Sequence, residues 1–157
     1  MNPQPYDNLS DLTLLELCVW REAQNQGSEG MRAVAWSIKN RVDKPCWWGK
    51  DWASVILKPW QYSSFNLSDP NYRKWPSDTD AAFATACDVC TKVYVGSDTQ
   101  DPTDGATHYY DTSIGFPKAW GSESEWINTL NIHRLRFWKM RPANNNEAVQ
   151  DAVTGEA

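Results

Sequence analysis

Residues 12–42 read LTLLELCVWREAQNQGSEGMRAVAWSIKNRV, two helix-like runs broken by a short polar loop. In the first run, turn spacing puts Leu15, then Cys18 or Val19, then Glu22 on one side. An apolar stripe thus ends in an ionisable group. Ser10 or Asp11 can cap this helix, with Thr13-x-x-Glu16 as a competing capping box, and the pattern runs to about Ala23. Gln24-Asn25-Gln26-Gly27-Ser28 stops it and opens a second helix, from about Ser28 to Val42. The stripe of that helix is Met31, Val34, Ala35, Ile38 and Val42, and Lys44-Pro45 ends it. Glu22 is therefore placed to be partly dehydrated yet reachable from the loop. Dehydration disfavours the charged form of a carboxyl and raises its pKa, which suits a general acid. The competing reading is an ordinary helix-end glutamate, exposed or paired with Arg21, Lys39 or Arg41.

Outward from this pair the signals thin. A Trp-rich segment, CWWGKDWASVILKPWQYSSFN (46–66), holds a short helix near Asp51–Leu57 that ends at Pro59. Residues 67–76 are polar and irregular. A third long helix is expected after a cap at Ser77 or Asp78, closed by Gly96. SDTQDPTDG (97–105) reads as turn-rich loop, and Ala106–Tyr110 as a strand. Residues 111–124 are another loop, and 126–138 are ambiguous, with two short strands one option. Helices first and a small β segment late indicate a mainly helical α+β single domain. Its expected bounds are 10–141, with residues 1–9 a loose lead-in and 142–157 a tail low in large apolar residues.

Composition narrows the function. A chain of 157 residues suits one domain with a substantial core. Net charge is −5 and no basic run stands out, so the phosphate-neutralising patch of a nucleic-acid binder is missing. An acidic protein is poorly drawn to anionic membranes, and no stretch approaches spanning length. The N-terminal residues lack the pattern of a secretory signal, so a cytoplasmic protein is expected. It is expected to act as a monomer. Ten tryptophans are unusual: Trp36, Trp126 and Trp138 can serve as core, while other indole faces can carry sugar rings. Cys87 and Cys90 share a helical stripe with Phe83 and Tyr94 and read as small buried hydrophobes; Cys18 and Cys46 are isolated.

Nucleophilic catalysis would need one of two histidines, His108 or His133, beside a Ser or Cys, and no nucleophile elbow surrounds any Ser. Phosphate-cradling glycine loops are absent. The spacing of His108 and His133 is not diagnostic of a metal site, and no cofactor or metal is expected. Carboxylate acid/base chemistry remains, with Glu22 as its candidate. The nearby segment Trp60-Gln61-Tyr62-Ser63-Ser64-Phe65 supplies amide and hydroxyl groups beside flat rings, the mixture a carbohydrate cleft uses. No paired second carboxylate of the kind usual in glycosidases is visible; Glu29, Asp101, Asp104 and Asp111 are nominations only.

Several blocks together carry a family likeness. Glu22-Ala23, Glu29-Gly30, Ala33-Val34-Ala35 and Asn40-Arg41-Val42 match the opening signature in order and spacing. Gln61-Tyr62-Ser63, DPTDGATHYY (101–110), and His133-Arg134 followed by Phe137 match later blocks. Residues 12–138 in this way resemble the SleB-like cell wall hydrolases, named for spore-cortex-lytic enzymes. The resemblance implies a lysozyme-like domain that cleaves peptidoglycan between N-acetylmuramic acid and N-acetylglucosamine as a lytic transglycosylase. It implies Glu22 as the catalytic acid, and Gln61, Ser63, Thr107 and Tyr109 as contacts to substrate or to Glu22. Trp60 and Ser64 join them as binding candidates from the aromatic segment. A transglycosylase needs only one carboxyl, which accounts for the missing pair. Two other outcomes stay open: a lysozyme-type muramidase with a second carboxylate, or a glycan-binding module without turnover. Typical spore enzymes carry an export signal and a wall-binding domain; neither is expected here, which suits a phage endolysin and equally a prophage or plasmid relative.

Overall fold

A computed structural model describes residues 6–142. Residues 143–157 of the expected tail, and the first five residues of the expected lead-in, lie outside that range. Four helices come first: α1 (Asp11–Ala23), α2 (Gly27–Asp43), α3 (Trp52–Ile56) and α4 (Ala81–Val95). Three strands follow, β1 (His108–Asp111), β2 (Trp126–Ile132) and β3 (Leu135–Met140). The α+β, mainly helical architecture expected from the sequence is the one observed. Among the described residues no helix is long and apolar enough to cross a membrane.

Local chemistry sets the helix ends. Ser10 caps α1 by accepting the Thr13 N–H at 3.2 Å. Gly27 opens α2 with φ +69°, a turn that lets the chain reverse after α1 at little steric cost. Asp51 caps α3 in a reciprocal capping box with Ser54, and the chain leaves that helix just before Pro59. The cap of α4 is Asp80, not Ser77 or Asp78. Its Oδ1 accepts both the Phe83 N–H (2.8 Å) and the Trp20 indole N–H (3.2 Å). A contact from α1 thereby chooses among several neighbouring capping residues. Gly96 closes α4 in the left-handed region, at φ +82°.

Leu14, Leu15, Leu17 and Cys18 of α1 pack with Met31, Val34 and Ile38 of α2 and with Ala86, Cys90 and Val93 of α4. These side chains are almost wholly removed from water and form the main apolar core. The ambiguous stretch 126–138 is a β-hairpin, whose two strands both fall within or just beyond it. Strand order is β1-β3-β2, antiparallel throughout, with Tyr109 opposite Phe137 and a register break between Asn128 and Leu130. Trp36, Trp126 and Trp138 are buried, as expected for core, and Trp20 and Trp48 join them. All four cysteines are free. Cys90 is buried as the stripe indicates, whereas Cys87 is only half-buried and donates its thiol hydrogen to Glu16.

Candidate active site

Glu22 lies one residue before the end of α1, beside a cleft of about 580 Å³. The opposite walls come from the 60–63 segment and from β1 with the loop after it. The carboxyl is half-buried, and dehydration pushes its pKa from 4.5 up to about 7. A hydrogen bond from the Tyr109 hydroxyl pulls it back down, and the negative charge of Asp69 pushes it further up. Such a group holds a proton at neutral pH and gives it up readily.

None of the three cations that could have made Glu22 structural is its partner. Arg21 is engaged beyond α1 by the segment that follows α3 and by Tyr6. There it donates to the Tyr6 hydroxyl and to the carbonyls of Ser64, Tyr72 and Lys74. Lys39 pairs with Asp43 at 2.5 Å. Arg41 lines the cleft, but its Nε donates to the Thr107 carbonyl (2.6 Å) and Nη1 to Gln61 Oε1 (3.2 Å). Its guanidinium also lies over the rings of Trp47, Trp48 and Tyr62.

The binding candidates divide. Trp60, Gln61, Ser63 and Tyr109 line the cleft with Glu22. Gln61 spends its amide oxygen on Arg41, which leaves its NH2 to donate. Ser64 and Thr107 are not in the cleft lining. The Ser64 hydroxyl is buried without a partner among the described residues, and its carbonyl accepts from Arg21. Thr107 is buried, with Oγ1 2.8 Å from His108 Nδ1 and its carbonyl on Arg41. Both hold the walls from behind.

Arg41, His108, Tyr110 and Trp120 also line the cleft and were not assigned there from sequence. His108 is boxed by Trp47, Trp48, Trp120 and Trp126, and burial drives its pKa well below 6.5, so the ring is neutral. Arg41 and His108 both sit within the motif blocks quoted above, which was the available signal. Of the four nominated second carboxylates, Asp111 alone is in the lining, ion-paired with Arg134 at 3.2 Å. Asp101 is absorbed by Asn40, Thr103 and the Gly105 N–H, Asp104 pairs with Lys139, and Glu29 is exposed on α2.

A mainly helical scaffold that sets one proton-holding carboxyl among amide, hydroxyl and aromatic groups has the chemistry suited to acid/base cleavage of a glycoside. The chain belongs to the cell wall hydrolase family, whose model matches residues 25–138. That match begins just past Glu22, so the case for Glu22 rests on its surroundings. Two solved structures are similar in fold. One is the catalytic domain of the germination-specific lytic transglycosylase SleB from Bacillus anthracis, with 21% identity and a TM-score of 0.60, covering 85% of this chain and 98% of that one. The other is the catalytic domain of the Bacillus cereus SleB protein, with 22% identity and a TM-score of 0.58, covering 88% of this chain and 98% of that one. No curated protein matches the chain.

Proposed function

We propose that the protein cleaves the peptidoglycan glycan strand between N-acetylmuramic acid and N-acetylglucosamine as a lytic transglycosylase, with Glu22 as its single general acid and base. Glu22 gives its proton to the glycosidic oxygen as the bond from that oxygen to C1 of the muramic residue breaks. The resulting carboxylate then takes the C6 hydroxyl proton while that oxygen bonds to C1, closing a 1,6-anhydro ring. No water is consumed, and Glu22 ends protonated as it began. Tyr109 is suited to the middle of this cycle, because its hydroxyl donates to the carboxylate form.

The observation that carries the proposal is a cleft carboxyl poised near pH 7 with no cation on it among the described residues. The fold likeness to an enzyme described as a lytic transglycosylase supports the same chemistry. Asp111 in the lining favours a second reading, in which an ionised carboxylate activates water and the product is a reducing sugar. Mass spectrometry of fragments released from purified peptidoglycan separates the two, since anhydro ends are one water lighter. Reducing ends alone would overturn the transglycosylase mechanism.

The variant Glu22→Gln should lose at least about a thousandfold in kcat while staying folded. Between pH 4.5 and about 7 the unfolded chain releases the Glu22 proton and the folded chain keeps it, so wild-type stability falls as pH rises through that window. Glutamine lacks this penalty. The melting temperature of Glu22→Gln at pH 8 should therefore be no lower than that of the wild type. An active Glu22→Gln enzyme would remove Glu22 from the chemistry.

A further inference from the structure

Trp60 is the most exposed large hydrophobic side chain among the described residues, with 78% of its surface open to water. Its backbone stands at φ +69°, a conformation that bulky residues adopt only at a cost. The Asn66 side chain accepts the Trp60 N–H at 3.1 Å and holds that turn in place. An indole kept in strained backbone, with little of it packed, is not explained by folding.

Its position supplies a reason. Trp60 lines the Glu22 cleft on one side and, on the other, an open groove of about 590 Å³. That groove is walled by Leu57, Pro59, Phe65 and Leu67, the last 73% exposed. A cleft of 580 Å³ is the size that holds a small ligand. A glycan strand is a polymer and must leave such a cleft across its rim.

Resting on the function proposed above, we infer that the strand leaves across Trp60. One hexopyranose ring stacks on the indole, and its methyl-bearing substituent, acetamido or lactyl, seats in the Leu57–Leu67 groove. The groove is apolar and continuous with the cleft through Trp60, as that contact requires. It makes Trp60 and Leu67 determinants of strand affinity that take no part in the proton transfer.

The two variants to compare are Trp60→Gly and Leu67→Ser, assayed on long glycan strands and on the shortest oligosaccharide the wild type cleaves. Glycine tolerates φ +69°, so Trp60→Gly should melt no lower than wild type. Its KM on strands should nevertheless rise about tenfold, and that of Leu67→Ser about threefold, with a smaller change on the short substrate. Leu67 lies outside the Glu22 cleft, so its effect reports on the groove alone. Strand KM values within twofold of wild type for both variants would overturn the inference while wild-type cleavage stood. A wild type that releases no glycan fragments would instead overturn the proposed function. A light-scattering mass of two chains that falls to one in Leu67→Ser would assign the groove to a second copy and also reject it.

Discussion

The proposed cycle makes two opposed demands of Glu22. It must keep its proton near neutral pH, which dehydration at the end of α1 secures, and it must also be stable enough as a carboxylate to finish the cycle. The Tyr109 hydroxyl meets the second demand and dehydration the first; the net effect leaves the pKa at about 7. Activity that requires the protonated form should then decline on an alkaline limb near pH 7 in kcat/KM. Tyr109→Phe removes the hydrogen bond that favours the carboxylate, so the limb should move to higher pH while kcat falls about tenfold or more. A purely structural role for Tyr109 would lower activity without moving the limb. His108 makes no limb of its own in this window, because burial keeps it neutral well below pH 6.5.

At the scale of elements, Arg21 joins α1 to the segment that walls the cleft. The Tyr6 hydroxyl, itself hydrogen-bonded to the Tyr72 carbonyl, completes the clamp together with three carbonyls between Ser64 and Lys74. The rings of Tyr6, Phe65 and Trp75 pack around the guanidinium. Arg21→Met takes the donor from the Ser64 and Lys74 carbonyls, while Tyr72 keeps the Tyr6 hydroxyl, and each buried orphan costs about 1–3 kcal/mol. The variant should lose about 3 kcal/mol or more, with residues 60–75 cut first in limited proteolysis. A uniform loss of protection across α2 and α4 would show that Arg21 supports the whole core instead. The elements themselves were unevenly legible. α1 and α2 could be read because Ser10, the polar loop and Lys44-Pro45 are local signals. The α4 cap could not, since Ser77, Asp78 and Asp80 all have capping chemistry and only Trp20, distant in sequence, picks Asp80. Residues 126–138 stayed ambiguous until β1 paired with β3, a contact no local pattern encodes. The same limit applies to the site. Glu22 could be picked out because it ends an apolar stripe, whereas Arg41 and His108 enter the lining only when β1 docks on α2.

Across the whole molecule, charge and shape assign recognition to short-range contacts. The protein carries a net charge of −5, and peptidoglycan bears the carboxylates of its stem peptides. Long-range attraction therefore contributes nothing to encounter, and the weak repulsion that exists is screened within about 10 Å at 0.1 M salt. Inside the cleft the same conclusion holds. The cation in its lining, Arg41, is committed to Thr107 and Gln61, and the carboxylate Asp111 is paired with Arg134. What remains free to hold a strand is amide, hydroxyl and aromatic surface, whose contacts salt does not weaken. The kcat/KM measured on isolated sacculi should accordingly stay within about threefold, or rise, as salt is taken from about 50 to 300 mM. A fall of tenfold or more across that range would mean that basic side chains dominate binding. The strand would then have to run over the outer surface near Arg134 and Arg136 rather than through the aromatic cleft beside Glu22.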